Sequence, residues 1–432
     1  MVDTGIIIFF ILFTALSLWR LHWGLTLIIY ALPLYIIRFS LGPIPSTLLE
    51  GMILIVTVAW LVKKRGEFFK NIRGIFSDHP KTLILIGGIL FLISASVSVI
   101  VSPDTRAALG ILRAYFLEPF LFFLVFTSTV NTEKRLYATL VASILSALSI
   151  ASVAVYQKIF LQQDRVISLF PYPNAVGLYI APIIPFLIGY VAYFSSRVSG
   201  WKRTWLYIAG VCSFSLLVSA IIFSQTESAL IALFITFFGW ALCANTWTRR
   251  QAIRVGISVI LLVSISQPLQ GFLQEKLLLK DWSGFVRRTV WEESIVMLQN
   301  IPITGAGLSG YQQAFEPYHT KKFIEIFLYP HNIILNFLSE TGLYGLVAFF
   351  LLWIASIILL IKTVTHIRGS GDDRGRFMRY GAQATLASYA VIAIHGLVDV
   401  PYFKNDLSVF FWGLIGVSVI LYTMSRSYGK TS

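Results

Sequence analysis

The chain has 432 residues, of which 57% are hydrophobic and only 12% charged, a balance that excludes an ordinary soluble enzyme and points to helices that cross a membrane repeatedly. The formal net charge of +14 is not the footprint of a nucleic-acid binder, because the lysines and arginines fall in short loops between apolar runs, and no nucleic-acid partner is expected. Cys212 and Cys243 both lie inside apolar runs, so neither a disulfide framework nor a metal-ligand spacing can be read.

Apolar stretches occur at residues 5–20, 23–40, 45–62, 81–101, 107–130, 136–155, 174–194, 203–223, 227–244, 252–267, 332–362, 378–397 and 407–424. They predict an all-α, polytopic integral membrane protein with twelve or thirteen transmembrane helices. The first stretch, Gly5 to Trp19, lacks a basic flank and a small-residue cleavage site, and reads as a retained helix rather than a signal peptide. Three parts are expected: N-terminal membrane helices over 1–267, a large loop over 268–330 and C-terminal membrane helices over 331–432.

When alternate loops are assigned to one side, that side collects most of the 34 lysines and arginines, including the cluster from Lys63 to Lys81, the pair Arg249 and Arg250, the group from Lys362 to Arg379, and Lys430. By the positive-inside rule it is cytoplasmic. Of the 20 acidic residues only Glu67, Asp78, Glu133, Asp372 and Asp373 fall there. The loops 156–173 and 266–330 are then extracytoplasmic, where neither ATP nor nucleotide sugars are at hand. An enzyme working there needs a donor that arrives already activated.

In chain order, the first outer loop ends in R-V-I-S-L-F-P-Y-P-N, which sets Arg165 nine residues before Asn174. A guanidinium beside the bilayer has a fixed fork of donors that fits a phosphate; the competing readings are a headgroup contact or a pair with Asp164. The turn S-Q-T-E-S-A carries Glu227, a partner for an arginine. From Phe285 to Leu298, Val286, Val290, Trp291, Ile295 and Leu298 recur at helical spacing, predicting an amphipathic helix near the interface that carries Arg287 and Arg288. Pro302 and the glycines at 305, 307 and 310 follow as a turn that brings backbone close to a ligand or to the next helix. The aromatic remainder, from Tyr311 to Tyr329, reads as an interfacial belt.

The stretch Y-P-H-N-I-I-L-N-F-L-S-E-T-G-L-Y-G then opens the longest apolar run. Pro330 disfavours helix in the residue before it, so the helix is expected to begin near His331, presenting His331 and Asn332 at its positive end. Glu340 lies two and a half turns further in, and Gly342 and Gly345 leave a face small enough for a neighbouring helix. Near the end, H-G-L-V-D-V places His395 and Asp399 one turn apart at an outer helix end.

Taken together, H-N-x-x-L-x(4)-E-x-G-x-x-G, the arginine-to-asparagine loop, and the R-x-x-x-W segment with its glycine turn resemble the O-antigen ligase and Wzy-type polymerase superfamily. The resemblance runs from about Arg165 to Asp399. Three positions depart from the pattern: Ser168 stands where relatives carry glycine, Tyr172 where they carry asparagine, and Glu227 where arginine is common. The resemblance implies a multispanning bacterial inner-membrane enzyme that moves a glycan from an undecaprenyl diphosphate carrier to an acceptor hydroxyl on the periplasmic face. The acceptor is a lipid A core for a ligase, or a growing glycan for a polymerase. It further implies His331 as general base and Arg165, Arg287 and Arg288 on the donor diphosphate, with Asn332, Glu340, Asn174, Glu227 and Asp399 in support. Transfer is expected to be inverting, with no metal and no cofactor. The expected partners are the lipid-linked donor, the acceptor and membrane lipids. A small-anion transporter and a noncatalytic envelope scaffold are the readings from other classes; the first is disfavoured because the polar residues collect at one face rather than at midplane.

Overall fold

The computed structural model describes residues 4–42, 44–76, 79–243 and 245–428. Asp78 and Lys430, assigned above to the cytoplasmic side, lie outside the described residues, as do the side chains of 64–80. The chain opens with α1 (Thr4–Trp19) and α2 (Leu21–Tyr30), followed by an antiparallel hairpin of β1 (Arg38–Leu41) and β2 (Ile44–Thr47). The span expected over 23–40 is therefore overturned. Pro33 cannot continue α2, since its ring would strike the carbonyl four residues back, and the chain turns through Leu32–Ile36 into the hairpin.

The helices that follow are α3 (Leu48–Phe76), α4 (His79–Val101), α5 (Thr105–Ile111), α6 (Glu118–Thr129), α7 (Glu133–Ile159), α8 (Asn174–Ile180), α9 (Ile184–Ser195), α10 (Gly200–Phe223), α11 (Glu227–Cys243) and α12 (Thr246–Ile265). The large loop contributes α13 (Gln267–Leu277), α14 (Trp282–Asn300) and α15 (Tyr311–Phe315). The chain ends in α16 (Ile333–His366), α17 (Asp373–Gly396) and α18 (Asn405–Tyr428). Several starts are written in the sequence as caps: the side chains of Asp104, Thr132, Asn245, Asp281 and Asp372 each accept a hydrogen bond from a backbone N–H of the first turn.

Among the described residues, seven helical segments are long and apolar enough to cross a membrane: Lys81–Val101, Thr105–Thr129, Glu133–Ile159, Asn174–Ser195, Gly200–Phe223, Ile333–His366 and Asn405–Tyr428. The apolar helices α1, α2 and α11 are shorter, and α17 buries Thr385, Ser388 and His395 against its neighbours. The chain is an all-α polytopic membrane protein. Helices from both ends share one core, with α16 running along α4 and α18, α17 against α9 and α11, and α18 against α6. Phe91, Phe337, Phe349, Tyr402 and Trp412 pack ring against ring at its centre, Phe337 and Phe349 with centroids 4.1 Å apart. The polar atoms buried there are satisfied, the Tyr402 hydroxyl donating to the Tyr115 carbonyl at 2.7 Å and the Trp412 indole to Tyr402 at 3.3 Å.

The large loop has its own core of Val286, Val290, Met297, Leu298, Tyr311, Phe315 and Ile324. The apolar face of α14 is thus covered mainly by the loop itself, and Ile295, expected on that face, is exposed. The glycine turn after Pro302 meets α16 at a kink. Gly342 sits there at φ 65° and ψ −169°, and a Cβ on it would lie 2.0 Å from the Ile303 carbonyl oxygen. Into that notch Leu343 N donates to Ile303 O at 3.1 Å and Ala306 N to Ser339 O at 2.7 Å. Gly342 therefore admits a loop, where the sequence suggested a neighbouring helix.

Candidate active site

His331 lies at the meeting point of α14, α16 and the end of α17. The helix begins two residues later than expected, at Ile333, because the Asn332 carbonyl oxygen of the side chain accepts from the N–H groups of Ile334 (3.0 Å) and Leu335 (3.1 Å). The Asn332 amide also donates to Leu397 O at 2.9 Å, tying the start of α16 to the end of α17. His331 itself adopts φ +51°, a left-handed conformation that costs a non-glycine residue about 1 kcal/mol. The Trp291 indole donates to Pro330 O at 2.9 Å, and the rings of Phe327 and Tyr329 stand edge-on to the imidazole at 5.0 and 4.9 Å.

The His331 Nδ1 faces the Asp399 carboxylate at 3.6 Å, an ion-pair distance just beyond a hydrogen bond. Asp399 is fully buried at the turn after α17, where Val400 N donates to Oδ1 at 2.8 Å and the Asn174 amide to Oδ2 at 3.3 Å. Burial alone would raise its pKa, but His331, His395 and the Val400 N–H outweigh burial and hold it at about 2. Asp399 is an anion at any physiological pH.

Asn174, the first residue of α8, accepts from Arg165 Nη2 at 2.5 Å, while Arg165 Nε donates to Ser224 O at 2.9 Å. The guanidinium is thus held across the α10–α11 turn rather than against Asp164, with its remaining donors exposed. The loop that carries it bends at Ser168, which adopts φ +55° and is held by Gln157 and by its own hydroxyl bond to Ile150 O at 2.7 Å. Glycine suits that conformation, so the serine found here is compensated by hydrogen bonds.

Arg287 and Arg288 separate. Arg287 lies one helical turn before Trp291, donates to Ser283 Oγ at 2.8 Å, and exerts its charge on His395, which is itself bonded to Ser228 Oγ at 3.0 Å. Arg288 faces Glu292 at 3.8 Å and is half exposed. Glu227 pairs with Lys276 at 2.7 Å, and Lys276 in turn with Asp281 at 3.0 Å, so the unusual acid fastens the large loop to α11. Its partner is a loop lysine, and none of the site arginines reaches it. Glu340 accepts from Ser309 N at 2.6 Å and pins the glycine turn. Arg113 pairs with Glu50 at 2.6 Å and Glu118 at 3.4 Å, and together with Arg38 and Arg106 lines a cleft of about 470 Å³ beside the hairpin.

Arg165, Asn174, Asp399 and His331, drawn from three distant stretches of sequence, form one connected set, with Arg287 on its flank. Tyr172 and Tyr329 belong beside it, close enough for each hydroxyl to act on the other; in the sequence Tyr172 showed only as a departure from the arginine-to-asparagine motif, and Tyr329 was lost among the belt aromatics. Lys404 also adjoins the set, signalled only as a lysine within the aromatic run P-Y-F-K-N-D. Among the described residues no group of three or more His, Cys, Asp or Glu side chains is placed to hold a metal ion.

Residues 212–350 match the family model described as O-antigen ligase. No curated protein matches the chain. The matched segment carries the second half of α10, Glu227, the large loop, His331 and Glu340, while Arg165, Asn174 and Asp399 lie outside it and join it through the contacts above. The match supports membrane glycan transfer of the ligase or polymerase type. Over residues 212–350, and within an all-α membrane architecture, the chain is thus similar to the O-antigen ligase family.

Proposed function

We propose that the protein is a ligase that transfers a glycan from a polyprenyl diphosphate carrier to an acceptor hydroxyl, with a lipid A core as acceptor, on the periplasmic face of a bacterial inner membrane. The observation that carries this reading is the contact series His331–Asp399–Asn174–Arg165, which sets a base beside an anion-binding guanidinium. The Asp399 carboxylate orients the imidazole through Nδ1, which leaves Nε2 to take the acceptor proton. As the acceptor oxygen bonds to the anomeric carbon, the bond from that carbon to the diphosphate oxygen breaks and the configuration inverts. The proton passes to His331, whose imidazolium Asp399 then stabilises, and the electron pair leaves with the diphosphate. Arg165 and Arg287 neutralise that departing charge. These roles use side chains alone, and no metal ion is invoked.

The test is transfer in liposomes from an undecaprenyl diphosphate glycan to a panel of acceptors. Wild type is expected to glycosylate a lipid A core, and His331→Ala to lose about 10²- to 10⁴-fold in rate. Arg287→Ala is expected to lower both kcat and kcat/KM, as befits a contact to developing charge. Chain growth on the donor itself makes the protein a polymerase. A well-folded wild type that moves no glycan to any acceptor, or a His331→Ala variant as active as wild type, overturns the mechanism.

A further inference from the structure

Lys404 sits in the turn just before α18 and is only 8% exposed. Its ammonium lies over three aromatic rings, those of Phe170 (4.4 Å), Tyr35 (5.0 Å) and Tyr172 (5.2 Å). Asp406 Oδ1 stands 3.8 Å away, beyond hydrogen-bond reach, and Lys404 Nζ has no hydrogen-bond acceptor. The two Asp406 carboxylate oxygens lack a side-chain donor as well. A desolvated ammonium without acceptors is costly, and cation–π contacts of about 2 kcal/mol offset only part of that cost. Aromatic faces also have a particular effect: they hold a cation without neutralising it and without consuming its N–H groups.

The surroundings say where those N–H groups are to be used. Tyr172 precedes Asn174 by two residues and lies close to the Tyr329 hydroxyl, and Tyr329 stands edge-on to His331. The charge of Asp399 acts on Lys404 as well. On its other side, Tyr35 and Asn405 line the 470 Å³ cleft. The lysine pocket thus shares walls with both the His331 site and an open cleft. Arg165 already spends two of its donors on Ser224 and Asn174, whereas the three on Lys404 are uncommitted.

We propose that Lys404 is an oxyanion-binding residue of this site, donating to the diphosphate of the lipid-linked donor. This rests on the donor chemistry proposed above. The aromatic cage holds the ammonium without consuming its N–H groups until the diphosphate supplies their acceptors, and removal of the charge should cost anion affinity without costing stability.

The experiment measures binding of undecaprenyl diphosphate, undecaprenol and inorganic diphosphate to the full-length protein in nanodiscs, for wild type, Lys404→Met, Lys404→Gln and Lys404→Arg. Lys404→Met is expected to weaken undecaprenyl diphosphate binding about ten-fold or more. The same variant should bind undecaprenol as wild type does and unfold at the same or a higher temperature, and Lys404→Arg should recover part of the affinity. Weakening confined to inorganic diphosphate would make this a free-anion site and overturn the assignment to the lipid donor. Wild-type affinity for undecaprenyl diphosphate in both neutral variants, or loss of the fold in both, also overturns it while leaving the proposed function standing. A wild type that binds no undecaprenyl diphosphate removes both.

Discussion

At the scale of single residues, the pairing of His331 with Asp399 governs what the site can do. Asp399 titrates at about 2 in the fold, below the usual carboxylate value near 4. Its contribution to stability is therefore complete above pH 4 and is lost as the pH falls toward 2, a difference of roughly 2 kcal/mol. We predict that Asp399→Asn flattens the decline in unfolding temperature between pH 6 and pH 3 in detergent, while its transfer rate at neutral pH falls about 10- to 100-fold because the imidazolium is left unpaired. An unchanged acid limb would show that the pair contributes nothing to the fold. His331, Arg165 and Asn174 were legible as candidates from residue type and spacing. That Asn174 bridges Arg165 to Asp399 was not, since a hydrogen bond between residues 225 positions apart leaves no mark on local sequence.

At the scale of elements, the kink of α16 ties the site to the large loop. Pro330 and the apolar run after it placed the start of α16 within two residues, and the R-x-x-x-W helix was legible from its apolar period. The kink was not, because a glycine within an apolar run reads equally as a small helix face. Gly342 needs both a positive φ and the space that a Cβ would occupy beside Ile303. Gly342→Ala is accordingly expected to destabilise the protein by about 2 kcal/mol or more. Thermal unfolding in detergent checks this against Gly239→Ala, where a Cβ meets nothing and little change is expected. Equal unfolding temperatures for the two variants would refute the role assigned to the notch. The hairpin after α2 was missed for a related reason: hydrophobicity alone marked 23–40 as a span, and Pro33 overrode it.

At the scale of the whole molecule, His331, Arg165, Arg287 and Asp399 gather at one end of the helix bundle, and the proposed mechanism requires that end to face outward. Impermeant thiol labelling in a Cys212→Ser, Cys243→Ser background tests it. Lys322→Cys, exposed in the large loop, should label in intact cells, and Gly371→Cys, exposed between α16 and α17, only after permeabilisation. The reverse pattern would invert the orientation and remove the periplasmic donor from consideration. Composition and hydropathy determined that this chain is an all-α membrane protein, and the motifs around Arg165, Arg287 and His331 carried its resemblance to the O-antigen ligase superfamily, because both are written in residue type along the chain. Tertiary structure alone decided which arginine contacts Asn174 beside Asp399 and His331, that Glu227 fastens a loop through Lys276, that Glu340 pins the glycine turn, and that Lys404 stands uncommitted among three aromatic rings. Charge and hydrogen-bond partners are chosen by what the fold brings within about 4 Å, and separation in sequence says nothing of that distance.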